Sequence, residues 1–177
     1  MTPTEDRRFP PALAAAMAVR LARVGEDGVD FEPYESFLPA DETTDWFQAW
    51  TGNSGVNGDA FRVFGQDGTG GYAAFWLIRP DRPLVEQPVV FLGSEGETGV
   101  VARNLGAFLW LLSDGLGPWE ATASYASDPG WTPRPDRELT AVAERYAANG
   151  RVPAAIVIEQ AAQEFPDFDD TVMSLCR

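Results

Sequence analysis

Residues 61–97 of this chain read FRVFGQDGTGGYAAFWLIRPDRPLVEQPVVFLGSEGE, and this stretch decides the fold. Strand-forming residues at its start and at 72–78 flank residues 66–71, where Asp-Gly and further glycines favour a hairpin turn. Glycine adopts positive φ at low cost, and an aspartate side chain can accept hydrogen bonds from its own turn. A second turn at 79–83 precedes the apolar run 89–92, which has the length of a buried strand. The stretch therefore predicts three strands, two turns and a domain centred on a sheet.

Amphipathic helices are predicted on both sides of this stretch. One helix is expected over residues 10–24, followed by a short strand at 29–31. A second lies within residues 38–53, where Asp41 is expected to accept hydrogen bonds from the first free amides. The third, residues 100–116, has the clearest i, i+3, i+4, i+7 pattern, and its wide apolar face predicts burial between the sheet and another layer.

The C-terminal third has a different composition. Residues 118–136, rich in Pro, Gly, Ser and Trp, predict an irregular crossing. Apolar spacing predicts helices around residues 139–146 and 158–165, although 154–158 is also compatible with a short strand. The acidic residues 166–177 are expected to form a loosely held tail.

Tryptophan is abundant, with six residues in the chain. Trp46 and Trp50 share one face of the second predicted helix, and most of the six are expected in the core. Trp119 and Trp131 flank the irregular crossing, which makes them candidates for partly exposed contact residues, with burial in the core as the alternative.

The charge balance is strongly acidic. Thirteen basic residues, all arginine, stand against 27 acidic ones, which gives a net charge of −14. A field of this sign repels phosphate backbones, so direct binding of nucleic acid is not expected. The same field attracts a basic protein, although solubility alone is a sufficient reason for an acidic surface.

The sequence favours a reducing, cytoplasmic setting. Cys176 is the only cysteine, so no disulfide framework can form. Arg7 and Arg8 before an alanine-rich run imitate an export signal, but Glu5 and Asp6 precede them and the apolar spacing favours an amphipathic helix. No apolar run reaches the roughly 18 residues that a membrane span needs.

The residue types of common catalytic sites are missing or poorly placed. Histidine is absent, which excludes Ser-His and Cys-His nucleophile pairs. The glycine-rich residues 65–71 lack the Lys-Ser/Thr ending of a phosphate-binding loop. Glu95 and Glu97 form an acid/base pair only if both are buried, and the aspartates within 167–170 lack the glycine of a calcium loop. We expect no catalytic residue, metal or cofactor.

Four segments in succession resemble the SUKH superfamily, the Smi/Knr-type proteins. Residues 38–53 are similar to that family's Leu-Pro entry, aromatic helix and Asn/Gly turn. Residues 61–71 resemble its glycine-aspartate hairpin, 87–97 the strand and loop after it, and 101–109 the helix that closes its core. The resemblance covers residues 37–120.

The resemblance implies an α+β fold in which helices pack on a twisted, mainly antiparallel sheet. We expect a single domain: an N-terminal helix and connection over residues 1–36, the SUKH-like core over 37–120, and a C-terminal helical extension over 121–177 packed on that core. Many bacterial members of the family are immunity proteins that bind and neutralise a cognate toxin, often a nuclease, in the cytoplasm. Other members are regulators or interaction modules, and the family has no known catalytic residues.

The leading hypothesis is a non-enzymatic protein-binding domain, most concretely an immunity protein for a basic toxin. The residues predicted to contribute to partner binding are Asp67, Glu95, Glu97, Trp119 and Glu120. One alternative is a regulatory interaction module without a toxin. A further alternative is a carboxylate-based enzyme that binds a small molecule or a metal, which requires Glu95 and Glu97 to be buried in a pocket.

Overall fold

The computed structural model describes residues 6–19, 29–122, 130 and 132–177. The strands are β1 (Glu32–Pro33), β2 (Phe61–Gln66), β3 (Tyr72–Trp76), β4 (Val89–Leu92) and β5 (Thr98–Ala102). The α-helices are α1 (Pro11–Met17), α2 (Ala40–Thr51), α3 (Leu105–Ser113), α4 (Pro118–Thr122), α5 (Arg137–Ala147), α6 (Ala154–Glu164) and α7 (Phe168–Met173). Short 3-10 turns lie at Leu84–Glu86 and Ala148–Gly150.

The five strands form one antiparallel sheet in which the spatial order follows the chain order, β1 to β5. The predicted hairpin is confirmed: Phe61 pairs with Trp76 and Gln66 with Tyr72 across the turn at residues 67–71. Strands β2 to β5 follow one another along the chain without an intervening α-helix, as antiparallel pairing of neighbouring strands allows. With the helices, this sheet confirms the predicted α+β class.

Helices cover both faces of the sheet, and each face has its own core. On one face the sheet packs against α1, α3 and α5, through buried residues that include Leu13, Phe64, Phe75, Phe91, Phe108, Leu112 and Leu139. On the other face it packs against α2 and α7, through buried residues that include Phe47, Phe61, Val63, Val90, Leu92, Phe168 and Val172. The adjacent Val63 and Phe64 of β2 serve opposite cores, as the alternation of side chains along a strand requires. The pairing of β2 with β3 shifts register between Val63 and Gly65.

The prediction of a helix over residues 100–116 was wrong at its start. Thr98–Ala102 is strand β5, paired with β4, and α3 begins at Leu105. The Asn104 side chain caps α3 by accepting a hydrogen bond from the amide of Ala107 at 2.8 Å. The predicted burial of this helix is confirmed, because seven of its nine residues are buried.

Helix α2 is present, but its predicted N-terminal cap was wrong. Pro39 occupies the cap position without a side-chain hydrogen bond, and Asp41 accepts only from the adjacent amide of Glu42. Gly52 ends the helix in the left-handed conformation at φ 63°, which glycine adopts without steric penalty.

The C-terminal region is more ordered than the sequence predicted. The two helices are confirmed as α5 and α6, and the alternative strand at residues 154–158 is wrong because α6 begins at Ala154. The expectation of a loose tail over residues 166–177 is also wrong. Helix α7 buries Phe168 and Val172 against the sheet, and the amide of Arg177 donates to the carbonyl of Thr51 at 2.9 Å.

The N-terminal expectations are met only in part. Helix α1 covers Pro11–Met17, and the second half of the helix predicted over residues 10–24 lies largely outside the described residues. The strand predicted at 29–31 is wrong, because pairing with β2 begins at Glu32. Val29 and Phe31 are buried in the core all the same. Within the described residues, no helix has both the length and the apolar character to cross a bilayer.

Candidate protein-binding surface

The turns of the two hairpins meet at one end of the sheet. The Ser94 hydroxyl donates to the hydroxyl of Thr69 at 2.9 Å, which joins the turn at 67–71 to the turn at 93–97. A Cβ added to Gly71 would lie 2.9 Å from the Cα of Gly93, so the close approach of the turns requires glycine here. We call these two turns, with the residues that contact them, the hairpin end.

Asp67 organises the first turn from inside. Its side chain is only 2% exposed. One carboxylate oxygen, Oδ1, accepts from the amide of Thr69 at 2.9 Å, the hydroxyl of Thr69 at 2.9 Å and the amide of Gly71 at 2.8 Å. This is the turn chemistry that the Asp-Gly sequence predicts. Its predicted role in partner binding has no exposed atom to support it, since the carboxylate is directed into its own turn.

Glu95 and Glu97 lie at the tip of the second turn, and both are exposed. The carbonyl of Glu97 accepts from the amide of Gly93 at 2.6 Å, which closes the turn through the backbone and leaves both carboxylates accessible. A buried acid/base pair, which the enzymatic alternative requires, is not formed by these two residues. Their exposure agrees with the loop that the sequence predicted.

Trp119 and Glu120 are neighbours on α4 with opposite environments. Trp119 is 36% exposed, as a contact residue must be, whereas Glu120 is 2% exposed. The two oxygens of Glu120 accept from the amides of Asp30, at 2.6 Å, and Gly117, at 3.0 Å. Burial raises the pKa of Glu120 above its ordinary value of 4.5, and these amides oppose the rise. Trp131, paired with Trp119 in the sequence, lies outside the described residues.

Glu120 connects α4 to the hairpin end through Asp30. The Asp30 amide binds Glu120, and the Asp30 carboxylate accepts from the amide of Gly68 in the first turn at 2.8 Å. The buried Glu120 therefore stabilises the hairpin end through Asp30. The structure brings all five predicted residues to one end of the sheet, but it exposes only Glu95, Glu97 and Trp119.

An aromatic cluster that the sequence did not predict as a site adjoins the turns. Tyr34, Trp46, Trp50 and Tyr72 are all half-buried. Trp46 stacks on Tyr72, with ring centroids 4.2 Å apart, and on Trp50 at 5.9 Å. The indole nitrogen of Trp50 donates to the carbonyl of Gly93 at 2.7 Å, which fixes the cluster to the second turn. The i, i+4 spacing of the two tryptophans was the available signal, but it was assigned to the core.

Negative charge surrounds this aromatic cluster. Burial, followed by the neighbouring Tyr72 and then by the nearby charges of Glu32 and Glu42, raises the pKa of Tyr34 well above its usual range. Asp169 reaches β5 from α7, where its carboxylate accepts from the Thr98 hydroxyl at 2.6 Å. Exposed carboxylates near the hairpin end are Glu32, Glu42, Glu95, Glu97 and Asp169. None of them forms an ion pair within the described part of the chain, so their charge is uncompensated.

Carboxylates at the hairpin end do not converge on a point. Among residues 6–19, 29–122, 130 and 132–177, no group of three or more Asp, Glu, His or Cys side chains is placed to hold a metal ion. Comparisons with family models, curated proteins and solved structures found no match to this chain.

Proposed function

We propose that this chain is a non-enzymatic binding domain that captures a basic protein at the hairpin end. The observation that carries the proposal is the set of exposed, unpaired carboxylates around a half-buried aromatic cluster. A basic toxin bound by an immunity protein is the concrete case that we propose, on the sequence resemblance to the SUKH superfamily.

The two components of this surface have different roles in binding. The carboxylates, with the net charge of −14, attract a cationic partner over long distances and accelerate association. The aromatic faces of Trp46 and Tyr72 offer apolar area and cation–π contacts to arginine or lysine side chains, which supply affinity after docking. Trp119 on α4, which is 36% exposed, offers a separate apolar contact.

Hydrogen bonds connect the loops of this surface in the absence of a partner, which supports tight recognition. The Trp50 indole, the Thr69–Ser94 hydrogen bond and the Glu120–Asp30 connection each join a loop to a helix or to another loop. A partner therefore does not have to order these loops, and the entropy cost of association is reduced accordingly.

Charge reversal at the turn tip tests the proposal. A double variant, Glu95→Lys with Glu97→Lys, is used as bait for affinity capture from the source cells beside the wild type. The matched control is Glu138→Lys with Glu144→Lys, which makes the same charge change at exposed positions on α5, on the other face of the sheet. We expect the wild type and the control to retain a basic protein that the turn variant loses.

The captured protein is then purified, and its association rate is measured at rising ionic strength. The rate should fall with salt for the wild type and be at least about tenfold lower for the turn variant at low salt. A partner retained equally by all three baits, or no partner at all, would refute the proposal for this surface.

Co-expression separates immunity from regulation. If the captured protein stops growth when expressed alone and growth returns with the wild-type chain but not with the turn variant, the immunity role is supported. If the captured protein is harmless and loss of this chain alters morphology or gene expression, the regulatory alternative replaces it.

A further inference from the structure

A second surface lies at the opposite end of β5, where the chain passes from Ala102 into α3. It is a cavity of about 490 Å³ between the start of α3, the end of α5 and the segment leading to α6. This volume lies within the range of small-molecule sites. Its polar lining includes Arg103, Asn104, Asn149, Arg151 and Gln160. No Asp or Glu is among the described residues that line it.

The charges of the two arginines of this cavity are not neutralised by ion pairs with described residues. Neither Arg103 nor Arg151 forms an ion pair with any described residue, and both are exposed. The guanidinium of Arg151 is held over the Trp110 ring, 5.0 Å from its centroid. The backbone at Arg103 is fixed by its carbonyl, which accepts from the guanidinium of Arg79 at 2.9 Å, so its side chain starts from an ordered position. Two cations that form no ion pair with a described residue therefore line the cavity.

An apolar groove adjoins the cavity. It has a volume of about 410 Å³ and is lined by Pro10, Pro11, Val85, Leu105, Leu109 and Tyr146. Tyr146 and Gly106 line both spaces, so the two lie side by side, and together we call them the depression. Val85 and Tyr146 remain 38% and 39% exposed, respectively, which leaves apolar surface open to a ligand. The guanidinium of Arg145 lies over the Tyr146 ring at 5.2 Å and places a third cation beside the junction.

We propose that this depression binds a small amphiphile, with a carboxylate or phosphate head in the arginine cavity and an apolar body in the groove. Arginine donates paired hydrogen bonds to both kinds of head group. The positive end of α3, where Asn104 and Gly106 line the cavity, adds to the attraction. A long anionic polymer is disfavoured because the rest of the surface repels it, whereas a single head group meets only the local arginines.

The test uses the full chain and four probes, measured by isothermal titration calorimetry below the concentration at which micelles form. Decanoate and decyl phosphate carry both parts of the ligand, decanol lacks the charge, and inorganic phosphate lacks the chain. We expect one saturable site for at least one of the two amphiphilic anions. Decanol and inorganic phosphate should each bind at least about tenfold more weakly, because a charged hydrogen-bonded head and a buried chain each contribute at least that factor. The tighter of decanoate and decyl phosphate identifies the head group.

Variants locate the site. Arg103→Gln, alone and with Arg151→Gln, should weaken the anionic amphiphile about tenfold or more, while Arg137→Gln on exposed α5 should leave its affinity unchanged. Because Arg151 packs on Trp110, the single Arg103 variant keeps the test valid if the double variant unfolds. Equal binding of decanol and decanoate, unchanged affinity in Arg103→Gln, or no saturable site for either anion would overturn the proposal.

Discussion

Replacing Glu120 with alanine should lower the free energy of unfolding by about 2 kcal/mol or more, because two buried amides lose their acceptor. The amides are those of Asp30 and Gly117, which donate to the two oxygens of this carboxylate at 2.6 and 3.0 Å. Each buried donor without a partner costs about 1–3 kcal/mol, and removal of a buried charge offsets part of the sum. In a chain of this size a loss of 2 kcal/mol corresponds to a fall in Tm of about 4–8 °C.

The Glu120→Gln substitution distinguishes the effect of the charge on stability from the effect of the hydrogen bonds. Like a protonated glutamate, glutamine presents one acceptor oxygen and one hydrogen-bearing group to the two amides. The Glu120→Gln variant and the wild type with Glu120 protonated should therefore have similar stability. The pKa of Glu120 is raised in the folded chain, chiefly because burial disfavours the charge. The folded state then binds more protons than the unfolded state between the unfolded pKa of 4.5 and the higher folded pKa, and wild-type stability falls as the pH rises through this window.

The Glu120→Gln variant lacks this titration. Its free energy of unfolding should match that of the wild type below pH 4.5 and exceed it at pH 7. Urea unfolding followed by tryptophan fluorescence at a series of pH values measures both curves. A glutamine variant that is less stable than the wild type at pH 7, with the difference closing in acid, would show that the two amides outweigh burial and would refute this reasoning.

Three further substitutions test other parts of the fold by the same unfolding measurement. Asp67→Ala should cost about 1–3 kcal/mol because the turn amides lose their acceptor, and Asp67→Asn, which keeps one acceptor oxygen, should cost less; equal costs would contradict this role. Asn104→Ala should cost about 1 kcal/mol through loss of the α3 cap, and no change would mean that the cap is replaced by water. Phe168→Ala, which removes a buried ring 4.9 Å from Trp76, should cost about 3–5 kcal/mol, whereas a loose tail would give a value near zero.

The hairpin and most of the helices were predicted correctly because each is specified by a few neighbouring residues. The Asp-Gly turn and the wide apolar face of α3 act over a few residues, and the structure retains both. Strand β5 was missed because Val100 and Val101 continue the apolar pattern of the helix that follows. The signal that separates the two elements is Asn104, an N-cap residue preceded by β-branched residues. Helix α7 was missed because its acidic composition concealed two apolar positions, Phe168 and Val172, spaced four residues apart.

The candidate site was predicted only in outline, because exposure depends on tertiary contacts. The sequence placed Asp67 and Glu120 among the contact residues on the basis of charge. Glu120 is buried against the distant amide of Asp30 and the nearby amide of Gly117, whereas Asp67 is buried against amides of its own turn. The aromatic cluster could not be predicted either, since it joins α2 to β3 and to Tyr34 across the edge of the sheet.

The two proposed surfaces lie at opposite ends of β5, and the exposed charges at the two ends have opposite sign. The strand has five residues, so its ends are roughly 16 Å apart. Glu95 and Glu97 precede it, and Arg103 follows it. At physiological salt the Debye length is about 8 Å, so exposed charges at one end are largely screened from those at the other. Net charge alone therefore describes this molecule poorly: it favours a basic partner, but the ligand proposed for each end of the strand follows the local charge there, and the two proposed ligands have opposite sign.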